Sequence, residues 1–125
     1  DLTAPDGRVV FVGDESSLAL AVALRTVTGM VRHVFETGDP AELTAVLAGL
    51  GLADSTSVIL KSDDRTPLLE LADEAAQQDG DPFDLVVTGD AATVLALRRD
   101  SRQWARKPAS VKGKAYWAAG RTGLD

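Results

Sequence analysis

The sequence has no cysteine and a single histidine, His33, among its 125 residues. Disulfide bonds, thiolate nucleophiles and cysteine-based zinc sites are therefore excluded, and a Ser-His-Asp triad would have to use His33. No apolar run approaches the roughly 18 residues that a membrane span requires. We therefore expect no metal site, no membrane span and, by default, a cytoplasmic location. Because the first residue is Asp1 rather than Met, we expect a domain excised from a longer protein.

Positive charge is scarce over most of the chain. Residues 1–97 carry five basic and seventeen acidic side chains, 5 − 17 = −12, whereas residues 98–125 carry eight basic and two acidic ones, 8 − 2 = +6. Because residues 1–97 have this negative net charge, they are unsuited to general binding of nucleic acid or of an anionic membrane surface. The basic C-terminal segment is either a solvated helix and loop, or it meets one anionic ligand or an acidic neighbour.

Short apolar strands alternate with helical segments along the whole sequence. We predict strands at residues 8–12, 31–35, 57–60, 84–88 and 114–118, with helices between them. Asp39-Pro40 and Thr66-Pro67 have the cap-plus-proline pattern of helix starts, and Asp90 is a predicted N-cap. The segment 18–24 is apolar almost all round, which is typical of a buried helix. The pattern predicts one α/β domain over residues 1–125, a three-layer, open, parallel five-stranded sheet of the Rossmann-like type.

Ligands of such sheets bind beyond the carboxyl ends of the strands, where polar segments occur here at 13–15, 36–38, 61–65 and 89–91. Neither the G-x-G-x-x-G nor the P-loop sequence is present. Asp14 and Glu15 would repel a phosphate at the first helix start by roughly 3–4 kcal/mol per charge pair. These two acids therefore either bind hydroxyl or amide groups or cap the helix.

Two basic residues after the third strand, Lys61 and Arg65, are better anion contacts. The alternative is that they balance nearby surface acids. Gly89 either lets a flat ligand approach the backbone or only forms a tight turn. His33, in an apolar strand, is expected to be a structural residue.

Three segments, in order, resemble the C-terminal domain of the siderophore-interacting proteins, the flavin-dependent NAD(P)H ferric-siderophore reductases related to the ferredoxin-reductase superfamily. VFVGDESS at 10–17 is similar to the family's apolar strand followed by Gly-Asp-Glu-Thr. VVTGDAA at 86–92, followed by LRR at 97–99, is similar to its Trp-Val-Ala-Gly-Glu-Ala segment and the next Leu-Arg-Arg. AYWAAG at 115–120 resembles its closing Gly-Tyr-Trp-x-x-Gly. The sequence departs from the family pattern at Lys61, Val86, Asp90 and Ala115.

The resemblance implies that this chain is the NAD(P)H-binding half of a ferredoxin-reductase type of enzyme. FAD would be held by a separate flavin-binding domain or flavoprotein, and the ferric siderophore would be reached only through that flavin. This domain alone would supply no catalytic residue. The resemblance implies nucleotide contacts at Gly13, Asp14, Glu15, Lys61, Gly89 and Asp90, with Tyr116 and Trp117 at the flavin-facing end. The segments at the strand ends add Ser16, Arg65 and Ala91.

Two alternatives stay open. One is an interaction or scaffold domain of the same fold that binds no nucleotide, in keeping with the acidic loop after the first strand. The other is a receiver-like signalling module, in which Asp14 and Glu15 would hold Mg²⁺ and Asp63 or Asp90 would accept a phosphoryl group. The additional strand-helix unit at residues 57–79 places Asp90 one unit too late for that fold.

Overall fold

The computed structural model describes residues 7–78 and 82–117, and of residues 114–117 the backbone alone. The elements are β1 (Arg8–Gly13), α1 (Leu18–Val27), β2 (Val31–Thr37), α2 (Pro40–Gly49), β3 (Thr56–Leu60), α3 (Thr66–Gln77), β4 (Phe83–Asp90), α4 (Ala91–Asp100) and β5 (Ser110–Trp117). Short 3₁₀ turns lie at Glu15–Ser17, Ala53–Ser55 and Ser101–Gln103. The strands pair in parallel in the order β3-β2-β1-β4-β5.

This arrangement confirms the predicted open parallel sheet with helices on both sides. The strand order is the Rossmann order, in which β1 lies between β2 and β4. Receiver-type domains have the order 2-1-3-4-5, with the third strand beside the first. The topology therefore argues against the signalling alternative.

The core lies in two layers because successive side chains of each strand point to opposite faces of the sheet. Val10, Val12 and Val34 pack against α3 and α4. Phe11 and Phe35 pack against α1 and α2 on the other face. Buried strands that are apolar on both faces are expected for a parallel sheet covered by helices.

Residues 18–24 form a helix as predicted, but the expectation that this helix is buried is wrong. Within α1 only Ala21 and Leu24 are buried, and Val27 is half exposed. The neighbouring helix α2 buries Leu43 and Leu47 and leaves Val46 partly exposed. One layer of helices covers this face of the sheet, so the outer side of each helix stays at the surface whatever its polarity.

The start of one strand, β5, and the capping of one helix, α3, also differ from the sequence predictions. The fifth strand begins at Ser110, four residues before the predicted start, because Ser110 pairs with Asp84 in the register between β4 and β5. The apolar pattern missed this part because β5 is an edge strand in the described sheet. The N-terminal backbone of α3 is satisfied by Asp64, whose Oδ1 accepts from the Thr66 N–H at 3.0 Å, and not by a Thr66 side chain.

His33 occupies the core, as predicted. It is 2% exposed, and its ring stacks on Phe35 and meets the edge of Phe11. Its Nδ1 lies 3.3 Å from the Ser55 hydroxyl, and its Nε2 has no hydrogen-bond partner. Burial lowers the pKa of His33 from 6.5 to about 4, so the ring is neutral at physiological pH.

Candidate functional site

The carboxyl ends of the central strands form one rim at the point where the chain passes to opposite sides of β1. The crossover from β1 leads to β2, and β4 lies on the other side of β1. In open α/β folds, ligands usually bind beyond the carboxyl ends of the strands at such a reversal. Lys61 is fixed at this rim because its backbone N–H donates to the Thr37 carbonyl at 2.8 Å.

The loop after β1 uses its own backbone donors. The Oδ1 of Asp14 accepts from the Ser16 N–H at 3.0 Å, and the Asp14 carbonyl accepts from the Ser17 N–H at 2.9 Å. Gly13 is required there, because a Cβ on it would lie 2.8 Å from the Ser17 side chain. Asp14 therefore caps the 3₁₀ turn Glu15–Ser17 that precedes α1, whereas the N-cap of α1 itself, Ser17, makes no side-chain capping bond. The Ser16 and Ser17 N–H groups are not available to a phosphate.

Beside this loop, three buried carboxylates surround one lysine. The Nζ of Lys61 lies 3.3 Å from Asp90 Oδ2 and 3.9 Å from both Asp14 Oδ2 and Glu36 Oε2. The side chains of Asp14, Glu36 and Asp90 are 1%, 3% and 7% exposed, whereas that of Lys61 is 24% exposed. The Nζ of Lys61 is itself buried among these acids, so the exposed part of this side chain is its aliphatic stem.

Arg65 completes this group, which we call the rim network and define as Asp14, Glu36, Lys61, Arg65, Asp90 and Thr93. Its Nη2 donates to Asp90 Oδ2 at 2.9 Å and its Nε donates to Thr93 Oγ1 at 2.9 Å. The Thr93 hydroxyl in turn donates to Glu36 Oε2 at 2.6 Å. The network holds three carboxylates and two cations, a formal charge of −1. Solvent reaches part of the Arg65 side chain and the stem of Lys61, whereas the Lys61 Nζ is buried.

Gly89 lets the network pack this closely. Its φ is +110°, a region that favours glycine, and a Cβ there would lie 2.9 Å from the Asp14 carboxyl carbon. The register between β4 and β5 also shifts between Gly89 and Asp90. Asp90 then caps α4, since its Oδ1 accepts from the Ala92 N–H at 3.0 Å.

The structure brings together six of the residues singled out from the sequence, Gly13, Asp14, Lys61, Arg65, Gly89 and Asp90. Ala91 is the first residue of α4 directly behind them. Glu15 lies apart and accepts a hydrogen bond from the Thr37 hydroxyl, while the Ser16 hydroxyl bonds back to Asp14. The backbone of Trp117 pairs with Asp90, so β5 ends at the same rim. The side chains of Tyr116 and Trp117 lie outside the described part of the chain.

Sequence reasoning marked the segment that contains Glu36 as a strand end but gave Glu36 and Thr93 no role. The available signal was the position of a carboxylate directly after the apolar residues Val34 and Phe35. A charge there must lie at the end of a buried strand and needs a partner. Its partner Thr93 lies 57 residues further along the chain, which no local pattern indicates.

Outside the network, the Thr66 backbone N–H and then its side chain lower the pKa of the exposed Asp64. No group of His, Cys, Asp or Glu side chains that could hold a metal ion is found in residues 7–78 and 82–117. In those same segments, every helix falls short of the length and apolar character needed to cross a bilayer.

Comparisons with known proteins give a likeness of fold. No protein-family model matches the chain, and no curated protein matches its sequence. The fold is similar to the structure of the siderophore-interacting protein from Acinetobacter baumannii, with a TM-score of 0.59 over 94% of this chain and 14% sequence identity. The chain spans about half of that protein, 48% of its length.

Proposed function

We propose that this chain is the pyridine-nucleotide-binding part of a flavin-dependent ferric-siderophore reductase. The observation that carries the proposal is the rim network, which holds Lys61 and Arg65 over buried carboxylates beside Gly89 at the topological switch point. The likeness of fold to a siderophore-interacting protein and the sequence resemblance support the same assignment.

The residues present fit a dinucleotide in one particular way. The backbone donors after β1 are taken by Asp14, so the phosphates would meet Arg65, whose side chain is 19% exposed. The Nζ of Lys61 is buried beside it on the same Asp90 carboxylate and would add a second positive charge nearby. The buried acids fix both cations, so little side-chain entropy is lost on binding. The nicotinamide would then lie toward Gly89 and the end of β5.

NAD(P)H supplies a hydride when bound, and FAD on a separate domain or flavoprotein would accept it and pass single electrons to ferric iron. The groups of this chain would hold and orient the nucleotide. Within the described residues we assign no flavin contact. Activity would therefore require the flavin partner, and this domain alone would be inactive.

Nucleotide titration tests the proposal directly. NADH and NADPH are titrated by calorimetry and by tryptophan fluorescence, on the chain alone and with the flavin-binding part of a siderophore-interacting protein. The variant Trp104→Phe removes the buried tryptophan behind α4 and leaves Trp117 as the only reporter. No binding at millimolar nucleotide under either condition would overturn the proposal.

Arg65→Met provides the variant test, because it removes a charged phosphate contact and leaves the lysine in place. We expect about tenfold weaker nucleotide binding, because the ion pair between the guanidinium and a phosphate is lost. Arg102→Met, the same change at an exposed position after α4, is the matched control and should leave the affinity unchanged.

A second candidate function is an interaction domain of the same fold. In the rim network both cations are already paired with carboxylates, which disfavours binding of a further anion. The apolar residues Val27, Val46 and Leu50 are exposed on the α1 and α2 side, which favours contact with another protein. Pull-down of a flavoprotein by this chain, with no nucleotide binding, would support this alternative over the first.

A further inference from the structure

A cavity of about 220 Å³ lies beside the start of β5, at the end of the sheet opposite to the rim network. Helix α4 begins at the rim with Ala91 and ends at Asp100, so the turn and loop that follow it lie at the amino ends of the strands. The Ala109 N–H, for example, donates to the carbonyl of Phe83, the first residue of β4, at 2.8 Å. The cavity is therefore separate from the position proposed for the nucleotide.

Basic side chains line this cavity around an apolar floor. Arg102 and Lys107 are its charged residues among those that the structure describes, and Ser101, Pro108 and Val111 complete the lining. Both cations are exposed, whereas Val111 packs against the core layer under α4. The volume is below the range of about 300–1,000 Å³ that is usual for small-molecule sites. The cavity therefore suits one or two acidic side chains of a partner better than a whole cofactor.

Arg98 extends this basic surface along β5. A Cβ on Gly113 would lie 3.0 Å from the Nη2 and 3.1 Å from the Nε of Arg98, so the guanidinium lies directly against the strand. None of Arg98, Arg102 and Lys107 forms an ion pair with a carboxylate in residues 7–78 and 82–117. We call these three cations, together with Val111, the basic groove. Unlike the cations of the rim network, those of the groove are available to a further anion.

The strand beneath the groove also offers its backbone. β5 is an edge strand of the described sheet, so one side of its backbone faces no other strand of that sheet. Such an edge can accept an additional strand from another chain. Lysine on an edge strand, here Lys112, discourages pairing with apolar or basic strands. A strand that carries acidic residues is the exception, because opposite charges on neighbouring strands attract.

We propose that the basic groove and the outer edge of β5 bind an extended acidic segment of a partner protein, with carboxylates at alternate positions. Successive side chains of a strand point to opposite faces, so such a segment directs its carboxylates to the one face that carries Arg98, Arg102 and Lys107. A nucleic acid fits less well, because a long polyanion would also meet the surface of residues 1–97, where 5 − 17 = −12. The inference does not rest on the proposed function.

Peptide binding tests the inference on the full chain. A fluorescein-labelled peptide of five Glu-Thr repeats is titrated with the chain and followed by fluorescence anisotropy. One control peptide has five Lys-Thr repeats, and another has five Glu followed by five Thr, which keeps the composition but sends carboxylates to both faces of a strand. We expect the Glu-Thr repeat to bind at least about tenfold more tightly than either control, and its affinity to fall about tenfold between about 50 and 300 mM salt. The backbone amide signals of Val111 and Gly113 in the ¹⁵N-labelled chain should shift.

Charge reversal separates pairing in the groove from the net charge of the chain. Arg102→Glu should weaken binding of the Glu-Thr repeat at least about fivefold, because one attraction is replaced by a repulsion. Arg99→Glu, the same change at an exposed position on α4 that does not line the cavity, is the matched control and should have an effect below about twofold. Adding Lys107→Glu to Arg102→Glu should permit binding of the Lys-Thr repeat, a gain that damage to the fold would not produce.

Several results would overturn the inference. These are no binding of the Glu-Thr repeat at millimolar concentration, equal binding of the alternating and blocked acidic peptides, and equal effects of Arg99→Glu and Arg102→Glu. Equal or tighter binding of a single-stranded DNA of ten nucleotides, or of phosphatidylglycerol vesicles, would show a general anion surface instead. Self-association in analytical ultracentrifugation that Arg102→Glu abolishes would make a second copy of this chain the occupant. Nucleotide titration of Arg102→Glu should match the wild type, so failure of this inference leaves the proposed function standing.

Discussion

Replacing Lys61 by methionine tests whether the rim network is a buried ion cluster. The substitution keeps most of the aliphatic stem and removes the charge that lies 3.3 Å from Asp90 and 3.9 Å from Asp14 and Glu36. At an effective dielectric near 20, each of these pairs has a gross attraction of about 4–5 kcal/mol. Most of that attraction is offset by the cost of removing the charges from water.

The net loss of stability depends on the buried carboxylates that the substitution leaves without a compensating charge. Removing one partner of a buried pair costs about 3–5 kcal/mol, because the other charge stays buried and uncompensated. The Nζ of Lys61 is buried although its stem is partly exposed, so we expect a loss in this range, about 3–4 kcal/mol, in the free energy of unfolding. Urea denaturation at pH 7, followed by circular dichroism, measures it.

A second substitution separates charge from packing. Glu36→Gln removes one of the uncompensated carboxylates and retains an oxygen that accepts from the Thr93 hydroxyl. On the Lys61→Met background it should restore about 1 kcal/mol, whereas on the wild type it should destabilise the protein. Lys107→Met, at an exposed position, is the control. A loss below about 0.5 kcal/mol for Lys61→Met, or additive effects of the two substitutions, would refute the buried cluster.

Three other substitutions test separate features of the fold. Gly89→Ala forces a Cβ to within 2.9 Å of the Asp14 carboxyl carbon at a φ of +110°, and it should lower the unfolding free energy by about 1–3 kcal/mol in urea denaturation. His33 has a pKa lowered to about 4 in the folded chain and an ordinary value of 6.5. The unfolded state therefore binds the additional proton, and stability should fall by up to about 3 kcal/mol as the pH drops from about 6.5 to 4, a slope that His33→Phe should remove. Arg8→Met removes two hydrogen bonds to the last carbonyls of α3 and a cation–π contact at 5.2 Å from the Phe83 ring centre; thermal unfolding should report a loss of about 2–3 kcal/mol.

Each of these three predictions has its own control and contradicting result. Gly38→Ala, where a Cβ meets no atom within 4 Å, should be nearly neutral, and equal effects at Gly38 and Gly89 would contradict the close-packing argument. An unchanged pH slope in His33→Phe would mean that other groups cause the acid sensitivity. Arg102→Met serves as control for Arg8→Met, and a similar small effect of both would mean that the buried guanidinium contributes little.

The sequence by itself determined the class of the fold and the direction of its strands. Alternating apolar strands and helical segments require crossovers long enough to make neighbouring strands parallel, and parallel strands place their carboxyl ends on one edge. The strand-end segments with Gly13, Lys61 and Gly89 could therefore be predicted to share a rim. The caps at Asp39 and Asp90 were also predictable, because capping depends on residues within one turn.

Tertiary structure alone decided what these residues do at the rim. Glu36 and Thr93 meet across 57 positions of the chain, and Arg65 reaches Asp90 across 25. The strand order places the carboxyl ends of β3, β2, β1 and β4 along one edge, and these side chains meet above β1. Hydrophobic periodicity reports which face of an element is buried and contains no information about which strands are neighbours. The exposure of the outer faces of α1 and α2 depends likewise on how many layers the fold contains. It could therefore not be predicted from the polarity of those helices.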